Sequence, residues 1–132
     1  MIGLNRVDLI CKITVTMYLS IFVGLLAGLV TYTFTGSNLV SPTRAKTLMQ
    51  SGKINKVVDV RTRMEFQAGH FPGAVNIPVN EINRMTTARL PKRGLLVYCN
   101  TGQRARWATE KLLRLGFKDV YYIAGTYKSF LR

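Results

Sequence analysis

Cysteine and histidine are nearly absent. Cys11 and Cys99 are too few for a disulfide framework, so a reducing compartment suits the chain. His70 is the single histidine, and no Cys/His pair has zinc-ligand spacing, so neither a metal site nor a His-dependent triad is expected. Acidic residues are also scarce, six against 19 Lys and Arg, which gives a formal net charge of +13. Repetitive and Gly/Pro-rich tracts are missing, and 132 residues leave room for one modest globular domain and an accessory segment but no second core.

Charge is missing altogether from residues 13–34, ITVTMYLSIFVGLLAGLVTYTF. As a helix rising ~1.5 Å per residue, this run crosses a hydrocarbon core of about 30 Å. Its Thr and Ser hydroxyls are expected to bond carbonyls of the preceding turn, and Tyr18 and Tyr32 lie toward the two interfaces. The run exceeds the ~7–15 residues of a signal-peptide core, and no clear small-x-small cleavage site follows it. Residues 1–35 are therefore expected to be an N-terminal membrane anchor, 36–42 a linker and 43–132 the domain. Arg44, Lys46, Lys53 and Lys56 outnumber Arg6 and Lys12 on the other side, which places the domain in the cytoplasm as part of a single-pass protein. Gly24 and Gly28 have helix-dimer spacing, but glycine is common in membrane helices and chance explains the pair.

Twelve of the thirteen net positive charges lie beyond residue 35. Such a balance suits anionic lipid, small anions or nucleic acid. Nucleic acid ranks last, because the basic residues are not interleaved with aromatics in a stripe.

Beyond the linker, Ser41-Pro42 opens a helix over 43–50, stopped by Ser51-Gly52. Val57-Val58-Asp59-Val60 reads as a strand, 63–69 as a helix, 74–77 as a strand ended by Pro78, and 81–90 as a helix ended by Pro91. Leu95-Leu96-Val97-Tyr98 is continuously apolar, as expected of a strand covered on both faces. A helix over 104–115 puts Ala105, Ala108, Leu112 and Leu115 on one face and ends at Gly116, and residues 120–123 form the next strand. This alternation predicts an α/β sandwich with a mainly parallel sheet. Trp107 and Phe117 are read as packing residues and His70 as a turn-stabilising side chain.

Cys99-Asn100-Thr101-Gly102-Gln103-Arg104 follows the buried strand and opens the next helix. A cysteine there sits at the C-terminal edge of the sheet, where successive backbone N–H groups and the helix dipole stabilise negative charge on sulfur. Gly102 lets the backbone curl inward and Arg104 adds fixed positive charge. Asp59 and Arg61, at the end of another strand, either border the same crevice or pair with each other, and a structural role is favoured.

The loop resembles the Cys-x-x-Gly-x-Arg active-site pattern of the rhodanese family. Upstream, VVDVRTRMEFQAGHFPGAVNIP is similar to that family's Asp-x-Arg strand end and Gly-His-x-Pro-Gly-Ala turn; downstream, RWATEKLLRLGFKDVYYIAGTY is similar to its helix, Gly-Phe turn and final strand. The resemblance covers residues 43–130 and implies a rhodanese-like three-layer sandwich. It implies a sulfurtransferase in which Cys99 is the nucleophile, Asn100, Thr101, Gly102, Gln103 and Arg104 form the substrate cradle, and no metal or organic cofactor takes part. The partners implied are a small anionic sulfur donor such as thiosulfate or a polysulfide, and cyanide or a thiol as acceptor. The chain departs from the pattern in having Ala124-Gly125 where Gly-Gly is usual, Phe130 where Trp is frequent, and a short last helix. Two rivals share the fold. A non-catalytic docking module usually lacks the cysteine, and a cysteine phosphatase places five residues between Cys and Arg where Cys99 and Arg104 enclose four.

Overall fold

The computed structural model describes residues 3, 5–34 and 38–131, with residues 30–34 as backbone only. The Tyr32 side chain, the Gly36-Ser37 portion of the linker and Arg132 lie outside the described residues. The chain divides into two compact units, Met1–Gly36 and Ser37–Arg132.

The first unit contains the helix α1 (Arg6–Phe34), of 29 residues. It starts before the charge-free run and takes in Asp8 and Lys12. It is long and apolar enough to cross a membrane. As the sequence suggests, Thr14, Thr16 and Ser20 donate to the carbonyls of Ile10, Lys12 and Thr16 at 2.7–2.9 Å, so the hydroxyls are satisfied within the helix.

In the second unit the elements run α2 (Pro42–Gln50), β1 (Lys56–Asp59), α3 (Arg63–Gln67), β2 (Val75–Asn76), β3 (Arg93–Tyr98), α4 (Gln103–Arg114), β4 (Lys118–Tyr122) and α5 (Lys128–Leu131). The four strands are all parallel in the order β2-β1-β3-β4, and a parallel bridge from Leu39 to Tyr122 flanks β4. Side chains of β3 alternate between two cores, because successive residues of a strand point to opposite faces. Leu95, Val97 and the following Cys99 pack with Ala105, Ala108 and Leu112 of α4. Leu96 and Tyr98 pack on the other face with Ala45 and Leu48 of α2 and Phe130 of α5. The result is the expected three-layer α/β sandwich. Although α5 is short, Phe130 is buried, its ring 4.9 Å from Phe71 and 5.9 Å from Tyr98.

Local chemistry explains the boundaries. Ser41 caps α2 by accepting the Arg44 N–H, with Pro42 in the first turn, where a missing N–H costs nothing. The expected helix over 81–90 does not form. A single 3₁₀ turn, Val79–Glu81, is followed by a series of turns. Asn83 Oδ1 accepts the amides of Met85 and Thr86, while the Thr86 and Thr87 hydroxyls donate to the carbonyls of Glu81 and Asn83. Short polar side chains here compete for the backbone groups that a helix would use.

Candidate functional site

Parallel strands end together, so the loops after β1, β3 and β4 meet at one edge of the sheet. Cys99 lies there, immediately after β3. Its side chain is fully buried, turned into the core layer beneath α4. The Gly102 N–H donates to Cys99 Sγ at 3.0 Å. That contact requires Gly102 to adopt a left-handed φ of +98° as the N-cap of α4, and it seats the loop against the segment after β4. A Cβ on Gly102 would lie 2.8 Å from Ala124 Cα. With glycine as its cap, α4 directs its positive end toward the sulfur without a competing side-chain acceptor. Asn100, Thr101 and Gln103 are exposed around this buried amide, and Arg104 is half-buried.

The site contains one residue absent from the sequence-based set, Glu65. Thr62 and Glu65 form a capping box on α3, in which the Thr62 N–H donates to Glu65 Oε2 at 2.9 Å. The same carboxylate reaches the loop after β3. It accepts Arg104 Nη1 at 2.9 Å, Arg104 Nη2 at 3.2 Å and Asn100 Nδ2 at 2.9 Å. Hydrogen bonds from Arg104, then from Thr62, hold the Glu65 carboxyl at a pKa of about 2, and Arg104 is raised chiefly by the same contact. Arg104 is therefore not an unopposed cation. Glu65 clamps the loop from the side and offsets its charge. The Thr-x-x-Glu spacing was visible in the sequence as a cap, but the second use of the carboxylate spans 39 residues and left no local mark.

Asp59 and Arg61 pair with each other on the opposite face from Cys99. Arg61 Nη2 is 2.7 Å from Asp59 Oδ2, and the Tyr98 hydroxyl donates to the same oxygen at 2.6 Å. That hydroxyl accepts the Phe71 N–H, and Arg61 Nη2 donates to the Gly69 carbonyl, so the buried carboxylate anchors the turn at 69–71. Burial, followed by the hydrogen bond to Asp59, pushes the Tyr98 hydroxyl well above its ordinary range. His70 Nδ1 lies 2.9 Å from the Phe66 carbonyl and its ring stacks on Phe66, consistent with a turn-stabilising role.

Phe117 is buried as expected, but Trp107 is 62% exposed. Ala105, Ala108, Thr109 and Leu112 take the inward face of α4, which leaves position 107 pointing outward. There it lines a shallow cleft of about 350 Å³ with Val79, Asn80, Glu110, Lys111 and Arg114.

Comparison with known proteins matches residues 41–132 to the family described as Rhodanese-like domain. The chain is 33% identical over 110 residues to a thiosulfate:glutathione sulfurtransferase of Homo sapiens, covering 73% of this chain and 95% of that protein. It is 32% identical over 90 residues to a tRNA uridine(34) hydroxylase of Buchnera aphidicola, covering 64% of this chain but 29% of that longer protein. Among solved structures, a human single-domain sulfurtransferase superposes with a TM-score of 0.59 at 32% identity, covering 73% of this chain and 96% of that one.

Proposed function

The chain belongs to the rhodanese-like domain family, and from that premise we propose that it transfers a sulfane sulfur from thiosulfate or a polysulfide to a thiol or cyanide through a persulfide on Cys99. Relatives bearing sulfurtransferase names support such activity in general. The observation that carries the reading for this chain is the Gly102 N–H aimed at Cys99 Sγ. A thiolate suits the chemistry because it is both a soft nucleophile and a good leaving group. In the first step the Cys99 thiolate attacks the outer sulfur of thiosulfate. A new S–S bond forms as the donor's S–S bond breaks, and sulfite departs with the electron pair. In the second step cyanide or a thiolate attacks the outer persulfide sulfur, and the Cys99 thiolate leaves. Neither step needs an external oxidant, a metal or an organic cofactor. Asn100, Thr101, Gly102, Gln103 and Arg104 form the cradle, with Glu65 as a positioning residue that fixes Arg104 and Asn100. Asp59 and Arg61 support the fold beneath it.

In this reading residues 1–35 anchor the chain in a membrane, 36–42 link, and 43–132 form a domain on the cytoplasmic side. The full burial of Cys99 favours a second reading, a membrane-tethered docking module without turnover. A phosphatase is disfavoured, because Glu65 engages the guanidinium that such an enzyme uses on phosphate. Mass spectrometry of the full chain after thiosulfate or polysulfide treatment separates the two. Sulfur transfer requires a gain of one sulfur atom on Cys99 that cyanide removes, lost in Cys99→Ser and kept in Cys11→Ser. No gain with any sulfane donor would leave the docking module.

A further inference from the structure

We propose that the edge of the sheet at which its strands begin is a docking surface for an anionic phospholipid membrane. Carboxylates in the domain are unevenly placed along the strand axis: Asp59, Glu65 and Glu81 pair with Arg61, Arg104 and Arg63 at the end where the strands finish. Each of the three longer strands starts with a cation, namely Lys56 in β1, Arg93 in β3 and Lys118 in β4. The parallel register sets Arg93 beside Lys118 and Lys56 beside Leu95. Two more cations join them. The Lys118 N–H donates to the Lys92 carbonyl at 2.9 Å, and a Cβ on Gly94 would lie 2.5 Å from the Lys53 carbonyl, so Lys92 and Lys53 border the same edge. Lys92 Nζ sits over the Phe117 ring at 4.2 Å, which fixes the charge at the edge without neutralising it.

Against these five cations, Asp119 is the carboxylate present among the described residues of that edge, and it is paired with Arg93 at 3.2 Å. Asp59, Glu65 and Glu81 lie at or beyond the strands' C-terminal ends, and Glu110 is taken up by Arg106 and Arg114 on α4. The four lysines are left to face an external anion.

A membrane fits better than nucleic acid for two reasons. The inference rests on reading α1 as an anchor, and a basic surface tethered to a bilayer meets its headgroups at high effective concentration. Phe117, the aromatic ring placed at this edge among the described residues, is 2% exposed beneath Lys92 and so is closed to base stacking. With the basic edge on lipid, the loop carrying Cys99, at the opposite end of the strands, turns toward solvent and its substrates.

Lysine footprinting of the full chain tests this. The protein is placed in nanodiscs of phosphatidylcholine alone or mixed with phosphatidylserine, pulse-acylated, and read by mass spectrometry. Lys53, Lys56, Lys92 and Lys118 should label on the order of threefold more slowly on the anionic discs, with protection lost at high salt. Lys128, on α5 beyond the other end of β4, should label equally on both. Equal rates at the four lysines, equal slowing at Lys128, or stronger protection by RNA than by lipid would overturn the proposal. A chain that stays outside the discs refutes the anchor instead. The same footprint with added vesicles then decides the surface: protection of the four lysines supports it and full labelling refutes it.

Discussion

Replacing Gly102 by alanine tests the loop at its tightest point. The backbone there has φ +98°, and the new Cβ would stand 2.8 Å from Ala124 Cα and 3.3 Å from both Ala124 Cβ and the Ile123 carbonyl. A left-handed conformation costs an L-residue about 1–2 kcal/mol, and forcing a methyl into packed backbone costs about 1–3 kcal/mol. The variant should therefore lose about 2–5 kcal/mol of stability, and even the lower figure lowers Tm by roughly 8–16 °C for a domain of this size. Any relief of the clash moves the Gly102 amide away from Cys99. A hydrogen bond to a charged acceptor contributes about 1.5–3 kcal/mol, so sulfur transfer measured well below the variant's Tm should fall about 10- to 150-fold. Thermal melts followed by Trp107 fluorescence and a thiosulfate:cyanide assay give the two numbers separately. A variant with unchanged Tm would show that the positive φ and close approach are not required. Lower stability with undiminished turnover would remove the amide from the mechanism alone.

Three further outcomes follow from the same geometry. Glu65 is held at about 2 against an ordinary 4.5, so its contribution to stability is complete above about pH 4.5 and is lost as pH falls toward 2; Glu65→Gln should flatten the pH dependence of the urea midpoint in that window, and an unchanged profile would refute the clamp. Tyr98→Phe strips partners from both buried Asp59 and the Phe71 N–H and should cost about 1–3 kcal/mol in chemical denaturation, whereas no loss would show that water or rearrangement replaces the hydroxyl. In sealed inverted membrane vesicles, protease added outside should digest the domain; protection would reverse the proposed orientation, and a mature N-terminus near residue 35 would show that α1 is removed.

The legible parts were those written in local pattern. The apolar run of β3, the inward stripe of α4 and the Ser-Pro start of α2 each specify one element and agree with their neighbours, so the α/β order and the position of the Cys99 loop followed from sequence. Features that depend on partners far along the chain were hidden. The Glu65 carboxylate meets Arg104 only because α3 and the loop after β3 reach the same sheet edge. Cys99 is enclosed in the core that Val60, Ile77 and Leu90 share with Ala105 and Ala108, which no spacing within residues 99–104 records. At 82–90 the local pattern predicts a helix, but Asn83, Thr86 and Thr87 bond the backbone in place of a helical ladder. Residue type alone makes Trp107 a packing residue, whereas its phase relative to Ala105, Ala108 and Leu112 points it outward.

The all-parallel sheet also sets a timetable for synthesis. Asp59 in β1 lies opposite Tyr98 in β3, 39 residues later. A ribosome adding about 5–20 residues per second delivers β1 roughly 2–8 s before that partner. Leu39 waits longer still, for Tyr122. The strand pairings among the described residues all join segments separated by a helix or a long loop, and such topologies fold slowly after synthesis as well. By contrast, α1 needs only contacts within itself and is complete before any strand has emerged. An α1 that enters the bilayer on emergence therefore leaves the domain to fold while already held at a surface, with the apolar strands Val57-Val58 and Leu95-Leu96-Val97 separated from those of other chains by their tethers.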